Sequence, residues 1–257
     1  MTQFIHPTAI INKKVKLGSN VRIGPYSIIE ENVQIGDNSK IGNCVTICED
    51  TQIGKDCIIF HYCSIGEIPQ DLKFGGEKTK TIIGDRTIIR ESVTINRGTK
   101  ASGKTYIGND CLLMAYVHIG HDSVIGDNVI MANMVTLGGH VVIEDWASIG
   151  GGVLIHQFCK IGSYVFIGGG FRAVQDVPPY ILAAKEPLKY QGINKTGLIR
   201  RGFNKNIRKD IKEIYKLLFR KRLNITQAII EIKKNIKKSK YRNNILYFIE
   251  NSNRGII

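Results

Sequence analysis

An aliphatic residue returns at every sixth position from Ile5 to Ile167, and this spacing restricts the possible fold more than any other feature of the chain. The series runs unbroken from Ile5 to Ile65, resumes at Ile83, Ile89 and Ile95, and runs again from Ile107 to Ile167. Of 28 positions in this single phase, 25 match, and the exceptions are Asp71, Glu77 and Ala101. An amphipathic helix repeats at about 3.6 residues and a half-buried strand at about 2, so neither produces the pattern. A hexapeptide repeat does, and it marks the parallel β-helices.

The other hexad positions refine this reading. The residue after the aliphatic one is Gly in 14 of the 25 hexads, which predicts a repeating corner whose backbone is costly for other residues. The fifth position is small or β-branched almost throughout, as at Ala9, Val15, Ser27, Val117 and Val141. One large and one small residue per face fill the narrow interior of a three-sided prism without strain. Three hexads make one coil, so residues 5–167 predict about nine coils, a rod ~40 Å long at the inter-strand spacing.

Two polar, Gly-containing stretches interrupt the series, near 66–82 and 97–106, and read as loops leaving the prism at its corners. The chain then divides into a β-helix over 1–190 and a basic α-helical domain over 191–257. Apolar spacing at Ile207, Ile211, Ile214, Tyr215 and Leu218 predicts one helix of that domain. Asn224 with Gln227 reads as a cap opening a second over Ile225–Ile236, and a third is expected at about 241–250. Such a helical packet covers the open edges of the last coil.

Charge follows the same division. Residues 1–191 hold 18 Lys/Arg and 18 Asp/Glu, whereas residues 192–257 hold 18 Lys/Arg and 4 Asp/Glu, so the net charge of +14 sits in the tail. That fits a docking surface for an acidic partner, or a solvated tail of biased composition rich in Lys, Asn and Ile. No aromatic-interleaved or groove-reading motif points to nucleic acid. The first residues lack the apolar segment of a signal peptide, and no apolar run is long enough for a membrane span. Cys57, Cys63, Cys111 and Cys159 fall on the small interior position, and Cys44 and Cys48 lack partners at zinc-finger spacing. All six read as structural thiols, and reduced thiols indicate the cytoplasm.

Chemistry concentrates between residues 118 and 156, where four of the six histidines lie. In His118-Ile119-Gly120-His121-Asp122, Ile119 and Ser123 point inward, which sends both histidines and the aspartate to outward or corner positions. His140 and His156 follow about one coil apart and line the same edge on this reading. A histidine beside a carboxylate suits a general base for a hydroxyl or amine. A three-histidine zinc site is the rival reading, although the stretch lacks a zinc-specific spacing.

Beyond the hexads, a set of motifs resembles the UDP-N-acetylglucosamine O-acyltransferase family, which catalyses the first step of lipid A synthesis. They are Gly66-Glu67 with Gln70-Asp71-Leu72-Lys73, Ile89-Arg90-Glu91-Ser92-Val93-Thr94-Ile95, His118 to Asp122, and Gly138-Gly139-His140. They continue with His156-Gln157-Phe158-Cys159, Gln175 to Tyr180, and Arg200-Arg201-Gly202-Phe203. The resemblance implies a left-handed parallel β-helix, mainly β, with a small C-terminal helical domain. It implies transfer of a 3-hydroxyacyl chain from acyl carrier protein to the 3-hydroxyl of UDP-N-acetylglucosamine, with neither cofactor nor covalent intermediate. His121 matches the general base, Asp122 its polarising neighbour, and the Gly139 N–H the oxyanion donor. Gln70, Lys73, His118, His140, His156 and Gln157 match sugar- and acyl-contacting positions. Asn194, Arg200 and Arg201 match the nucleotide and carrier end, and Gly169 the residue bounding the acyl groove. No residue is assigned to metal. The acidic carrier docks on the basic tail in this scheme, and the site lies between neighbouring prisms of a homotrimer. A 3-amino sugar acceptor and a metal-dependent hydratase on the same fold are the alternatives.

Overall fold

The computed structural model describes residues 4–221 and 223–257. Its strands are mostly two residues long and ordered in three sheets of 11, 9 and 8 strands, parallel except for the last pair of the largest. Successive strands fall on successive sheets, so the chain winds round a triangular prism, and each strand pairs with its equivalent one coil on. Phe4 and Ile5 pair with Arg22 and Ile23, and Ile29 pairs with Ile47. The six-residue period thus becomes three columns of stacked aliphatic side chains, which form one continuous core from Val21 to Ala183.

The two interruptions leave this register intact. Ile59 pairs with Ile89, and Ile89 with Leu113, across the insertions. One edge shows how this is secured. There the Asp37 carboxylate accepts from Ser19 N–H, Asp85 from Lys55, Asn109 from Asp85, Asp127 from Asn109 and Asp145 from Asp127, at 2.6–3.0 Å. The same side-chain cap recurs across both insertions, where the sequence separation grows from 18 to 30 and 24 residues. The strands flanking the insertions extend to Glu67, from Lys80, to Asn96 and from Lys104, so the excursions are tighter than the composition suggested.

Both excursions leave from a single edge and are tied together at their roots. Arg97 is 3% exposed; its guanidinium donates to Gly66 O at 2.8 Å, Glu49 O at 2.7 Å and Glu49 Oε1 at 3.0 Å. The Asn96 amide donates to Ile68 O at 2.9 Å. Segments 68–79 and 97–103 are thereby fixed against the same side of the prism.

The reading of the repeating glycines needs correction. Gly18, Gly24 and Gly36 do not adopt the left-handed conformation; the residue two positions later does, with φ of 58° at Asn20, 58° at Tyr26 and 59° at Asn38. Asn tolerates that region, and bulkier residues are held in it by the flanking coils. The glycines answer to proximity instead. A Cβ on Gly36 would stand 2.6 Å from both Gly54 C and Lys55 N of the next coil.

Cys57, Cys63 and Cys111 are buried and donate to carbonyls of the next coil, Gly84, Arg90 and Gly126, at 3.0–3.1 Å. Ser27 and Ser39 do the same from equivalent positions. Burial pushes the Cys63, Cys111 and Cys159 thiols up to about 11, so they pack rather than react.

After the last coil, Ile181–Ala184 closes the largest sheet and pairs antiparallel with Lys189–Ile193. Four helices follow: α1 (Lys195–Arg200), α2 (Lys205–Arg220), α3 (Ile225–Asn235) and α4 (Lys240–Glu250). Helix α1, short and capped by Asn194, lies within the expected helical domain but was not resolved there as a separate helix. Asn224 and Gln227 form the expected capping box of α3. Tyr215 Oη donates to Pro179 O, and the backbone of Gly255 and Ile257 bonds that of Asp176, so the packet does cover the open end. None of the described helices is long and apolar enough to cross a membrane.

Because the close approach of coils excludes a β-carbon, Gly36→Ala should lower the free energy of unfolding by about 1–3 kcal/mol, the usual cost of overpacking. Denaturant titration of the two proteins checks this, and equal midpoints would contradict the account.

Candidate active site

His121, His140 and Gln157 occupy consecutive coils on the edge from which both excursions leave. The two segments and this edge enclose a cavity of about 670 Å³, lined by Gln70, Lys73, Thr99, His121, His140 and Gln157 among others. Five residues expected to bind or react are therefore brought together, although Gln70 and His121 lie far apart in the chain.

The centre of the site is Asp122. Its backbone is left-handed at φ 60°, its amide donates to Thr105 Oγ1 at 2.9 Å, and its side chain is fully buried. This corrects the expectation that it projects outward, because segment 97–103 folds over it. Oδ1 accepts from Thr99 N–H at 2.9 Å and from the Ser102 hydroxyl. Oδ2 accepts from Thr99 Oγ1 at 2.7 Å and from His121 Nδ1 at 2.8 Å. Each oxygen thus takes two donors, which fills the roughly four lone-pair sites of a carboxylate. Burial would push this carboxyl up, but the bonds from His121, Ser102 and Thr99 outweigh it and hold the group down to about 2.

An ionised Asp122 fixes the tautomer of its neighbour. Nδ1 of His121 carries the proton, leaving Nε2 with a free lone pair. That nitrogen faces the next coil at Gly139, where a Cβ would stand 2.5 Å from it. A side chain at 139 would therefore have to displace the imidazole. The Gly139 N–H has no acceptor among the described residues, whereas equivalent amides on the Asp37 to Asp145 edge are capped by side chains. A basic nitrogen and an unspent backbone donor stand side by side.

His140 stacks on Phe158 with ring centroids 4.5 Å apart and meets the His121 ring edge-on at 5.1 Å. Its Nε2 lies 3.7 Å from Asp122 Oδ2, beyond hydrogen-bond range. His121, Asp122 and His140 offer ligand atoms within 4.8 Å of one another, a span that suits a cation. With all its lone pairs engaged, however, the Asp122 carboxylate has none left for a metal.

The other expected residues are dispersed. His118 takes the outward position of a strand and does not line the cavity; its Nδ1 pairs with Thr94 Oγ1 at 2.8 Å, and burial lowers its pKa. His156 is exposed, its Nδ1 3.2 Å from Gln157 O, and does not line the cavity. Gly169 sits on a different edge of the prism, where an added Cβ would stand 3.0 Å from Gly151 O. The Asn194 side chain is spent on structure, accepting from Gly197 N–H at 3.1 Å and donating to Tyr164 O at 2.9 Å. Arg200 is exposed, and the Arg201 guanidinium lies 3.8 Å over the Trp146 ring. Thr99 and Ser102 were given no role by sequence reasoning, since they lie in an insertion without periodicity, and Phe158 was read only as part of a motif.

Since Asp122 is held at about 2, below the ordinary carboxylate range, its ionised form stabilises the fold above about pH 4. That contribution disappears as pH falls through about 2. The stability difference between wild type and Asp122→Asn should be largest near neutrality and close across this acid window. Denaturant midpoints over a pH series measure it.

Similarity to known proteins agrees with this geometry. Residues 176–257 match the family described as Udp N-acetylglucosamine O-acyltransferase, domain 2. Residues 14–49 and 104–139 match the bacterial transferase hexapeptide. An acyl-[acyl-carrier-protein]–UDP-N-acetylglucosamine O-acyltransferase of Chlorobaculum parvum is 53% identical over 252 residues, covering 98% of this chain and 96% of its own. The enzyme of that name from Sulfurihydrogenibium is 54% identical, with 98% and 93% covered. Among solved structures, a UDP-N-acetylglucosamine acyltransferase from Bacteroides fragilis superposes with a TM-score of 0.97 at 46% identity, covering 98% and 99%. One from Francisella novicida gives 0.96 at 41%, covering 99% and 94%. The prism is accordingly a left-handed parallel β-helix. With relatives this similar over nearly its whole length, the chain belongs to the acyl-[acyl-carrier-protein]–UDP-N-acetylglucosamine O-acyltransferase family.

Proposed function

We propose that this protein transfers a 3-hydroxyacyl chain from acyl carrier protein directly to the 3-hydroxyl of UDP-N-acetylglucosamine, with His121 as general base. The observation that carries the reading is the pairing of His121 Nδ1 with a saturated, ionised Asp122 while Nε2 faces Gly139. Nε2 takes the hydroxyl proton as the sugar oxygen attacks the thioester carbonyl carbon. The resulting oxyanion accepts the hydrogen bond of the Gly139 N–H, a donor aimed at charge that develops only in the transition state. Collapse breaks the carbon–sulfur bond, and the imidazolium returns its proton to the departing thiolate. Gln70, Lys73, His140 and Gln157 line the cavity and hold sugar and acyl groups.

Exposed apolar side chains support assembly as a homotrimer. Tyr26, Tyr62, Tyr116 and Met134 form an exposed row on a prism edge distinct from that of His121, and Leu72 projects fully from its excursion. Gly169 lies on the same edge as that row, so it bounds the acyl groove only if a neighbouring prism brings it opposite His121. Arg200 and Arg201 serve the nucleotide and carrier end. The basic C-terminal packet receives the acidic carrier. The packed thiols fit a cytoplasmic setting.

His121→Ala should lower kcat by at least about a hundredfold, as expected on removing a general base, while the oligomer remains folded in size-exclusion chromatography. Turnover close to wild type would remove the base assignment. Gly169→Met should move the preference towards shorter chains in an assay of UDP-N-acetylglucosamine against a ladder of 3-hydroxyacyl carrier proteins. An unchanged chain-length profile would defeat the groove assignment.

A further inference from the structure

The excursion 97–103 contributes more than a wall. Thr99 is buried, and its hydroxyl accepts from Ala101 N–H at 3.2 Å, which leaves its own proton for Asp122. Ser102 stands at an exposed loop position, yet its hydroxyl reaches in to Oδ1. That hydroxyl also lies 2.9 Å from Lys104 O, but its single proton goes to the carboxylate, where the bond is charge-assisted. Gly103 N–H closes the segment onto Thr99 O at 2.8 Å. Three of the four donors to Asp122 thus come from this one segment, and only the fourth from the imidazole.

We infer that Thr99 and Ser102 are positioning residues that clamp the Asp122 carboxylate on His121 Nδ1 and limit how much of its negative charge the imidazole experiences. They touch neither reacting atom and act through Asp122. The carboxylate is fixed by two bonds on each oxygen, which holds Oδ2 at 2.8 Å from His121 Nδ1. The same donors draw charge away from the oxygens, so that His121 is oriented by an anion without being held protonated by it. A base must be unprotonated to act, and an unshared buried carboxylate 2.8 Å away would favour the imidazolium.

Removing a hydroxyl donor leaves Asp122 ionised near neutrality, because its carboxyl starts from about 2. The freed charge then stabilises protonated His121, so the ring gives up its proton at higher pH. The remaining groups facing the ring are His140, edge-on at 5.1 Å, and Asp71, Lys73, Glu77 and Lys100 around the cavity. They are the same in wild type and variants, so a difference reports the two hydroxyls.

The inference rests on the reading of His121 as base, and the test separates the two. The His121 ring is titrated by NMR in wild-type protein, Ser102→Ala, Thr99→Val, and the hydroxyl-retaining Ser102→Thr and Thr99→Ser. The pH dependence of kcat/KM is measured alongside. A rise in the ring pKa of at least about half a unit in the first two variants is expected, the size of a lost hydrogen-bond donor. Ser102→Thr and Thr99→Ser should return it towards the wild-type value. Ser102→Ala alters an exposed loop position and keeps the question answerable should Thr99→Val not fold. A ring that titrates as in wild type in Ser102→Ala overturns the clamp. A ring that shifts while the acidic limb of kcat/KM stays fixed upholds the clamp and overturns His121 as the base.

Discussion

Coil-to-coil register is the constraint from which the rest of this molecule follows. Each two-residue strand is too short to be stable alone, and it persists because its amides and carbonyls pair with the coils above and below. Interior columns such as Ile29 under Ile47 and Ile119 under Leu137 fix which residues stack. A one-residue slip would turn an entire aliphatic column to solvent. The stack therefore holds side chains from consecutive coils at fixed distances, and His121, Gly139 and Gln157 inherit their relative positions from it. Precision in the site is a by-product of the core.

Against this rigid edge the two excursions supply what a regular prism lacks, namely concavity and donors pointing at a buried charge. Arg97 unites their roots, bonding Gly66 O from one and Glu49 from the coil below. A buried guanidinium is costly unless its donors are satisfied, and here three of its contacts are made to the backbone and carboxylate that shape the loop bases. The second excursion then closes on Asp122. In a bare coil this carboxylate would be solvated and mobile; under Thr99 and Ser102 it becomes a fixed anion in a dry setting. The site joins a repetitive scaffold to two irregular segments, and neither part would serve alone.

Much of this was legible in the chain. Six-residue spacing predicted the prism, the small fifth position its narrow interior, and the break in periodicity at Asp71, Glu77 and Ala101 the two excursions. The capping box of Asn224 and Gln227 was readable because its bonds are local. The corner glycines were misread because proximity between coils and left-handed backbone both select glycine, and a sequence does not distinguish them. Asp122 was placed outward for a similar reason: its hexad position is a corner, and only the overlying segment buries it. Thr99 and Ser102 left no trace, since hydroxyl residues in a polar loop are unremarkable until a carboxylate is found beneath them.

By itself, then, the sequence determined what is periodic: the triangular cross-section, the direction of each interior side chain, and the residues that share the His121 edge. Local rules acting within a hexad are enough for that. Tertiary structure alone decided how the aperiodic parts meet the periodic ones. Segment 97–103 reaches Asp122 across 20 to 23 residues, and segment 68–79 faces His140 across many more. Those contacts depend on chain closure over a preformed edge and on the match of donors to one buried anion, neither of which any short stretch of sequence encodes.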